Sequence, residues 1–261
     1  MSFFQASSVE DAVKAKMNAP ASAFIAGGQS LVPRLRRSGH SFSSFIDLSR
    51  IEALLGMRTE GEWLDVGAAV THRELADSDA VRMRAPGLAA LAGGLGDPQV
   101  RNRGTLGGAV AERDPRSDWA AALLAADAQL ITNRRQLGVE EYFAGAGLAP
   151  DELLCRIRLR CAWTGAYAKL PAQASRQAIV GVYVSRFADN GPRVAITGAF
   201  ARPQRATALE QALARNFASE AVADDAFAGL EVVADAVAGA AYREAMLCVF
   251  ARRAVAACMQ Q

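Results

Sequence analysis

Histidine and cysteine are scarce in this 261-residue chain, which has two histidines, His40 and His72, and four cysteines, Cys155, Cys161, Cys248 and Cys258. No two cysteines form C-x-x-C, and neither histidine has a second histidine or a cysteine near it in sequence. A zinc or iron–sulfur site built from this chain alone therefore finds no support, and the cysteines read as small core residues. No uninterrupted apolar run approaches the roughly 18 residues that span a bilayer. The start, Met1-Ser2-Phe3-Phe4-Gln5, lacks the basic region and long apolar stretch of a secretory signal. Charge of one sign is also missing: 29 Lys+Arg against 27 Asp+Glu leave +2, with no general basic face for nucleic acid. Aromatics are only 7%, but 51% hydrophobic and 21% charged residues with 22 glycines exclude disordered and collagenous chains. What remains is a globular protein with core enough for one large domain or two or three small ones. Reduced thiols and a cytoplasmic location are expected.

Residues 8–18 have the pattern of a capped amphipathic helix, with Ser8 as cap, Glu10 and Asp11 in the first turn, and Val9, Val13 and Met17 on one face. Ser22–Ala26 reads as a short strand running into Gly27-Gly28, and Phe45–Leu48 and Trp63–Ala68 as further strands. Thr71 and Glu74 have the spacing of a capping box for a helix through Leu75, where His72 faces a neighbouring segment. Pro86–Leu95 is helical, residues 118–127 form a strongly apolar helix, and Ala128–Thr132 is a strand. Residues 153–161 alternate, with Leu153, Cys155, Ile157, Leu159 and Cys161 opposite Arg156, Arg158 and Arg160. That is a half-exposed antiparallel strand, and no aromatic platform accompanies its arginine row to suggest nucleic acid. A natural cut lies near residues 162–176, which lack a clear period. Ala178–Phe187 and Val194–Phe200 form a hairpin across Asp189-Asn190-Gly191-Pro192. Helices are expected at 207–215, 219–238 and 241–258.

Two glycine clusters carry the chemistry. Phe24-Ile25-Ala26-Gly27-Gly28-Gln29-Ser30-Leu31 is a strand ending in paired glycines with a helix start behind it. The second cluster is Gln99-Val100-Arg101-Asn102-Arg103-Gly104-Thr105-Leu106-Gly107-Gly108-Ala109. Each offers backbone N–H groups with no Cβ in the way of a close-approaching pyrophosphate. Neither fits G-x-G-x-x-G or G-x-x-x-x-G-K-[ST], so a cradle of two loops replaces the usual Rossmann or P-loop site.

The segments occur in a telling order. A-G-G-Q-S-L-x-P is followed by F-I-D-L-S-R-I, L-D-V-G-A-x-V-T-H-R-E-L, G-D-P-Q-V-R-N-R-G-T-L-G-G and D-P-R-S-D-W. From about residue 3 to the end, the chain resembles the flavin-binding medium subunit of molybdenum hydroxylases, the family of carbon monoxide dehydrogenase and bacterial xanthine dehydrogenase-type enzymes. The resemblance implies an α+β fold: a two-part FAD-binding domain of the vanillyl-alcohol-oxidase/PCMH type over residues 1–165, with subdomains of about 1–55 and 56–165. A small C-terminal sheet-and-helix domain over 166–261 would follow.

It further implies non-covalent FAD in this chain, and a large molybdopterin-binding subunit and a small [2Fe–2S] subunit as partners, in a dimer of heterotrimers. Electrons would come from the [2Fe–2S] subunit and leave to NAD, oxygen, a quinone or another carrier. Carried over by position, Phe24, Ile25, Ala26, Gly27, Gly28, Gln29, Ser30 and Leu31 form the first cofactor loop. Thr105, Gly107 and Gly108 form the second. Asp118 accepts hydrogen bonds from the sugar–ribityl region, Leu95 and Gly96 lie along the cofactor, and Lys169 lies near the flavin.

No catalytic acid–base pair is expected, because a flavin carries the redox reaction itself. A stand-alone small flavoprotein oxidase or dehydrogenase, or a flavin-free structural subunit of the same complex, are the competing readings. The chain departs from the family pattern at Ala109, Glu112 and Gln177, positions that bear on flavin potential and acceptor. A carboxylate at Glu112 is unfavourable beside a pyrophosphate unless Arg113 or Arg116 pairs with it or it points away. Arg34, Arg36 and Arg37 fit an exposed helix end.

Overall fold

The computed structural model describes residues 2–38, 42–161 and 164–261. His40 and the first two residues of the expected cut at 162–176 lie outside them. The first stretch builds a three-stranded parallel sheet: β1 (Ser2–Gln5), α1 (Val9–Asn18), β2 (Ala23–Ile25), α2 (Leu31–Ser38) and β3 (Ser44–Asp47), in the order β1-β3-β2. The Ser8 hydroxyl accepts from the Asp11 amide at 3.1 Å, so the expected cap starts α1. Ala6, Ala12, Ile46, Leu48, Ile51 and Leu54 close a small core beneath the sheet. Because β2 is an edge strand, the chain leaving Ile25 enters its glycine turn at the rim of the sheet.

The next stretch contains β4 (Met57–Glu60), β5 (Trp63–Gly67), α3 (His72–Asp77), α4 (Asp79–Arg84), α5 (Pro86–Gly94), α6 (Pro98–Arg103), α7 (Leu106–Ala111) and α8 (Asp118–Ala125). It ends with β6 (Gln129–Thr132), β7 (Gln136–Gly138), α9 (Val139–Ala144) and β8 (Leu154–Arg160). Its strands form an antiparallel sheet in the order β4-β5-β8-β6-β7. Thr71 and Glu74 complete the expected capping box at α3. Every residue of α8 is buried, which accounts for the lack of a polar face in that helix.

The last stretch forms an antiparallel sheet in the order β12-β11-β10-β9, from β9 (Thr164–Pro171), β10 (Ala178–Phe187), β11 (Gly191–Thr197) and β12 (Gln204–Arg205). It is covered by α10 (Thr207–Arg215) and α11 (Ala240–Met259) around Val180, Val182, Val184, Leu247, Ala251 and Val255. Among the described residues, no helix is long and apolar enough to cross a membrane. The four cysteines are unpaired. Burial raises all four thiols, Cys155 to about 11, which leaves little reactive thiolate.

Three sequence expectations need correction. Residues 219–238 are not a helix: a single 3₁₀ turn at Ser219–Ala221 gives way to irregular chain up to Gly239. The Asp235 carboxylate accepts from the Val237 and Ala238 amides at 2.8 and 3.1 Å, and the buried Val222, Phe227 and Ala238 anchor the path. The aperiodic cut at 162–176 contains a full strand, β9, whose register with β10 supplies the order that its own side-chain pattern lacks. The arginine row on β8 is partly exposed at Arg156 and Arg158 but buried at Arg160, where a half-exposed strand would leave all three in solvent. Arg156 pairs with Asp65, Arg158 lies 5.1 Å over the Trp63 ring, and Arg160 is buried against Glu62 and Asp189.

Candidate cofactor-binding site

Beyond β2 the chain turns through Ala26, Gly27 and Gly28 and enters α2 at Leu31, with Val32 N–H donating to the Gly28 carbonyl at 3.0 Å. Phe24 and Ala26 pack half-buried on the small core, and Ile25 lies beside Gly28. Gly28 has φ +72°, a backbone conformation in which any side chain would be strained. Among the described residues, none accepts a hydrogen bond from the backbone N–H of Gly27, Gly28, Gln29 or Ser30. Four successive donors thus stand at the start of a helix, where the peptide dipoles add positive potential.

The second turn follows α6. His72 N–H donates to the Gly104 carbonyl, Leu106 N–H to Val70 and Gly107 N–H to Ala68, each at 2.9 Å. This zips the turn onto the chain ahead of α3. Thr105 caps α7, its hydroxyl oxygen accepting from the Gly108 amide at 3.1 Å. The amides of Gly107 and Gly108 are therefore engaged within the fold, unlike those of the first turn. The Thr105 side chain is buried, and its hydroxyl keeps a proton that it can donate.

The two turns meet backbone to backbone. A Cβ placed on Gly27 would stand 2.0 Å from the Arg103 carbonyl oxygen and 2.9 Å from Gly104 Cα. Across the same junction, Arg34 of α2 pairs with Glu112 at the end of α7 at 2.8 Å. Of the outcomes expected for Glu112, pairing with Arg113 or Arg116 does not occur. Arg113 donates to the Phe143 and Gly145 carbonyls, and Arg116 pairs with Asp114 at 2.9 Å. Burial raises the Glu112 pKa and the Arg34 charge opposes that rise.

Asp118, buried in the first turn of α8, connects to the third sheet. The Tyr167 hydroxyl donates to its Oδ1 at 2.6 Å, and the Lys169 ammonium donates to its Oδ2. Burial pushes the Asp118 pKa up, against the Lys169 charge and the two hydrogen bonds. Lys169 also donates to the Arg176 carbonyl at 3.0 Å, in the turn between β9 and β10. Gln177 of that turn donates to Asp114 at 2.7 Å. Next to Asp118 in sequence, Trp119 reaches His72, whose ring lies against Gly104.

Leu95 and Gly96 lie at the opposite end of α6 from Gly104, with the Leu95 carbonyl accepting from Arg101 at 2.8 Å. The structure thus joins the Gly27 and Gly104 turns, and Asp118 with Lys169. It places Leu95 and Gly96 apart, linked through α6. The sequence reading missed Tyr167 and gave Arg34 only an exposed helix end, not its pair with Glu112. Tyr167 could have been found, since it stands two residues from Lys169 and so shares its face of β9.

The chain is similar to proteins of known family and structure. The family described as the FAD binding domain in molybdopterin dehydrogenase matches residues 1–159. The chain is 30% identical to the nicotine 6-hydroxylase medium subunit of Paenarthrobacter nicotinovorans, over 95% of this chain and 93% of that protein. It is 33% identical to the carbon monoxide dehydrogenase medium chain of Hydrogenophaga pseudoflava, over 88% and 87%. The solved structure of carbon monoxide dehydrogenase from Hydrogenophaga pseudoflava superimposes with a TM-score of 0.91 at 32% identity, covering 100% of this chain and 97% of that one.

Proposed function

This chain belongs to the FAD-binding family of molybdopterin dehydrogenases, and we propose that it serves as the flavin-holding, electron-transferring medium subunit of a three-subunit molybdenum hydroxylase. In this reading it receives electrons from a small [2Fe–2S] subunit, fed by a large molybdopterin-binding subunit, and passes them to an external acceptor such as NAD, oxygen or a quinone. The complex would be a cytoplasmic dimer of heterotrimers.

The observation that carries the reading is the contact between the Gly27 and Gly104 turns. At this junction the amides of Gly27, Gly28, Gln29 and Ser30 have no acceptor among the described residues, and Thr105 follows Gly104 directly in the chain. Neutral donors of this kind suit a diphosphate without a cluster of lysines. The residues present therefore fit FAD, which supplies the redox chemistry when bound.

The chain's own part is to bind and to hold. The first-turn amides grip the diphosphate, and Phe24, Ile25, Ala26 and Leu31 fix the turn's path. Gly107 and Gly108 keep Thr105 in place through their hydrogen bonds to Ala68 and to the Thr105 oxygen. Asp118 offers a buried acceptor for cofactor hydroxyls, Lys169 a cation beside it, and Leu95 and Gly96 a border along the cofactor. No residue of this chain is assigned a proton-transfer step.

Co-expression with its genomic neighbours tests the proposal. The purified complex is expected to contain this chain and show flavin absorption in the visible. A complex that assembles without flavin refutes the proposal.

A further inference from the structure

The two donors on Asp118 are held with very different firmness. Tyr167 stacks on Tyr183, with ring centroids 6.2 Å apart at 27°, and packs against the main core. Across the sheet, β10 has no side chain at Gly181, where a Cβ would stand 2.2 Å from the Tyr167 hydroxyl oxygen. The phenol therefore occupies space that only glycine leaves open, and Tyr183 behind it is itself buried. Lys169 is held otherwise. Its four-carbon stem ends in an ammonium that already has a second acceptor, the Arg176 carbonyl in the turn beyond β9.

We propose that Tyr167 is a positioning residue for the FAD site. Its hydroxyl fixes Asp118 as an oriented carboxylate through Oδ1, while Oδ2, capped here by Lys169, is the oxygen on which a cofactor hydroxyl replaces the ammonium. This rests on the reading given under Proposed function. It assigns the two oxygens different tasks: a permanent internal bond and an exchangeable outer one. Among the described residues, the titratable groups that act on Asp118 are Tyr167 and Lys169, both on β9. When Lys169 moves away, the Tyr167 hydroxyl is the remaining protein donor that favours the ionised form. A carboxylate buried to this degree with neither donor takes up a proton instead.

The test uses the co-expressed complex, stripped of flavin and titrated with FAD between about pH 5.5 and 8.5. The wild type is expected to bind with nearly constant affinity across that range. Tyr167→Phe keeps the ring and its stacking but removes the donor. Its affinity is expected to be about tenfold weaker at the alkaline end and to weaken further as the pH falls, with Tm almost unchanged. Gly181→Ala, which crowds the hydroxyl without removing it, is expected to reproduce the same pH-dependent loss. Wild-type affinity in Tyr167→Phe at every pH overturns the proposal, and so does a pH-independent loss accompanied by a lowered Tm. A wild-type complex that takes up no FAD brings down the underlying reading together with this one.

Discussion

Trp119 donates its indole N–H to Nδ1 of His72 across 3.2 Å, with both side chains buried. An accepting Nδ1 places the ring proton on Nε2 and makes His72 neutral, a helix-start residue that ties α3 to α8 rather than a proton carrier. Burial pushes its pKa from 6.5 down to about 4. A folded-state value below the unfolded one means the neutral ring contributes its full stability above about pH 6.5, and that contribution is lost as pH falls through about 4. The shift corresponds to about 3 kcal/mol. His72→Gln preserves an acceptor for Trp119 but does not titrate. Chemical denaturation at pH 7 and pH 4 is therefore expected to show a smaller acid loss in the variant than in the wild type, by roughly that amount. Equal losses would show that His72 titrates normally.

The contact between the two turns makes Gly27 the most sensitive glycine of the site. A methyl group there meets the Arg103 carbonyl at 2.0 Å, and backbone cannot swing aside as a flexible side chain does. Gly27→Ala is expected to cost about 1–3 kcal/mol of stability and to release FAD from the purified complex. Gly94, the last residue of α5, with nothing within 4 Å of its would-be Cβ, is the control. Gly94→Ala is expected to be neutral or stabilising by about 0.5–1 kcal/mol, with flavin content unchanged. Thermal melts and the ratio of flavin to protein absorbance read both effects.

Local chemistry made much of this fold legible. Ser8, the Thr71–Glu74 box and the ten-residue strand Ala178–Phe187 each appear where side-chain type and spacing put them. The hairpin after Phe187 is also present, although its loop holds the three residues between Phe187 and Gly191 rather than Asn190-Gly191 at its centre. What escaped is set by partners distant in sequence. Arg34 finds Glu112 across 78 positions, and nothing in either neighbourhood announces it. Residues 219–238 carry enough alanine and valine to suggest a helix, yet Asp235 turns its carboxylate onto the local backbone and ends that possibility. At the site, glycine spacing identified both turns, but only their packing distinguished the unengaged amides of the first from the committed amides of the second.

The Arg34–Glu112 pair permits a sharper test than its stability suggests. Its side chains are 50% and 27% exposed, so breaking it is expected to change stability by less than about 1 kcal/mol. An unneutralised carboxylate beside a diphosphate acts on binding instead. Arg34→Gln is expected to weaken FAD binding severalfold, more at low salt than at high salt, and Glu112→Gln added to the same chain is expected to recover it. Titrations at two ionic strengths decide the matter. Additive losses in the double variant would show that Arg34 acts on the cofactor directly and not through Glu112.

Arg243 ties the third sheet to the helix that covers it. Only 1% of its side chain is exposed. Its guanidinium pairs with Asp235 at 2.6 Å and donates to the carbonyls of Ile179, Gly198 and Ala238. The fork therefore joins α11, the irregular chain before it, strand β10 and the turn that follows β11 at one point. Arg243→Met fills much of the volume but leaves buried carbonyls without donors, which is expected to cost at least about 2 kcal/mol. Arg243→Lys keeps the charge but lacks the planar fork, so it is expected to recover only part of the loss. Because Asp235 is 40% exposed and stays hydrated once its partner is gone, the deficit comes mainly from the carbonyls. The ranking wild type, Lys, Met in denaturant midpoint checks the argument, and a methionine variant as stable as the wild type would place the anchoring of α11 elsewhere.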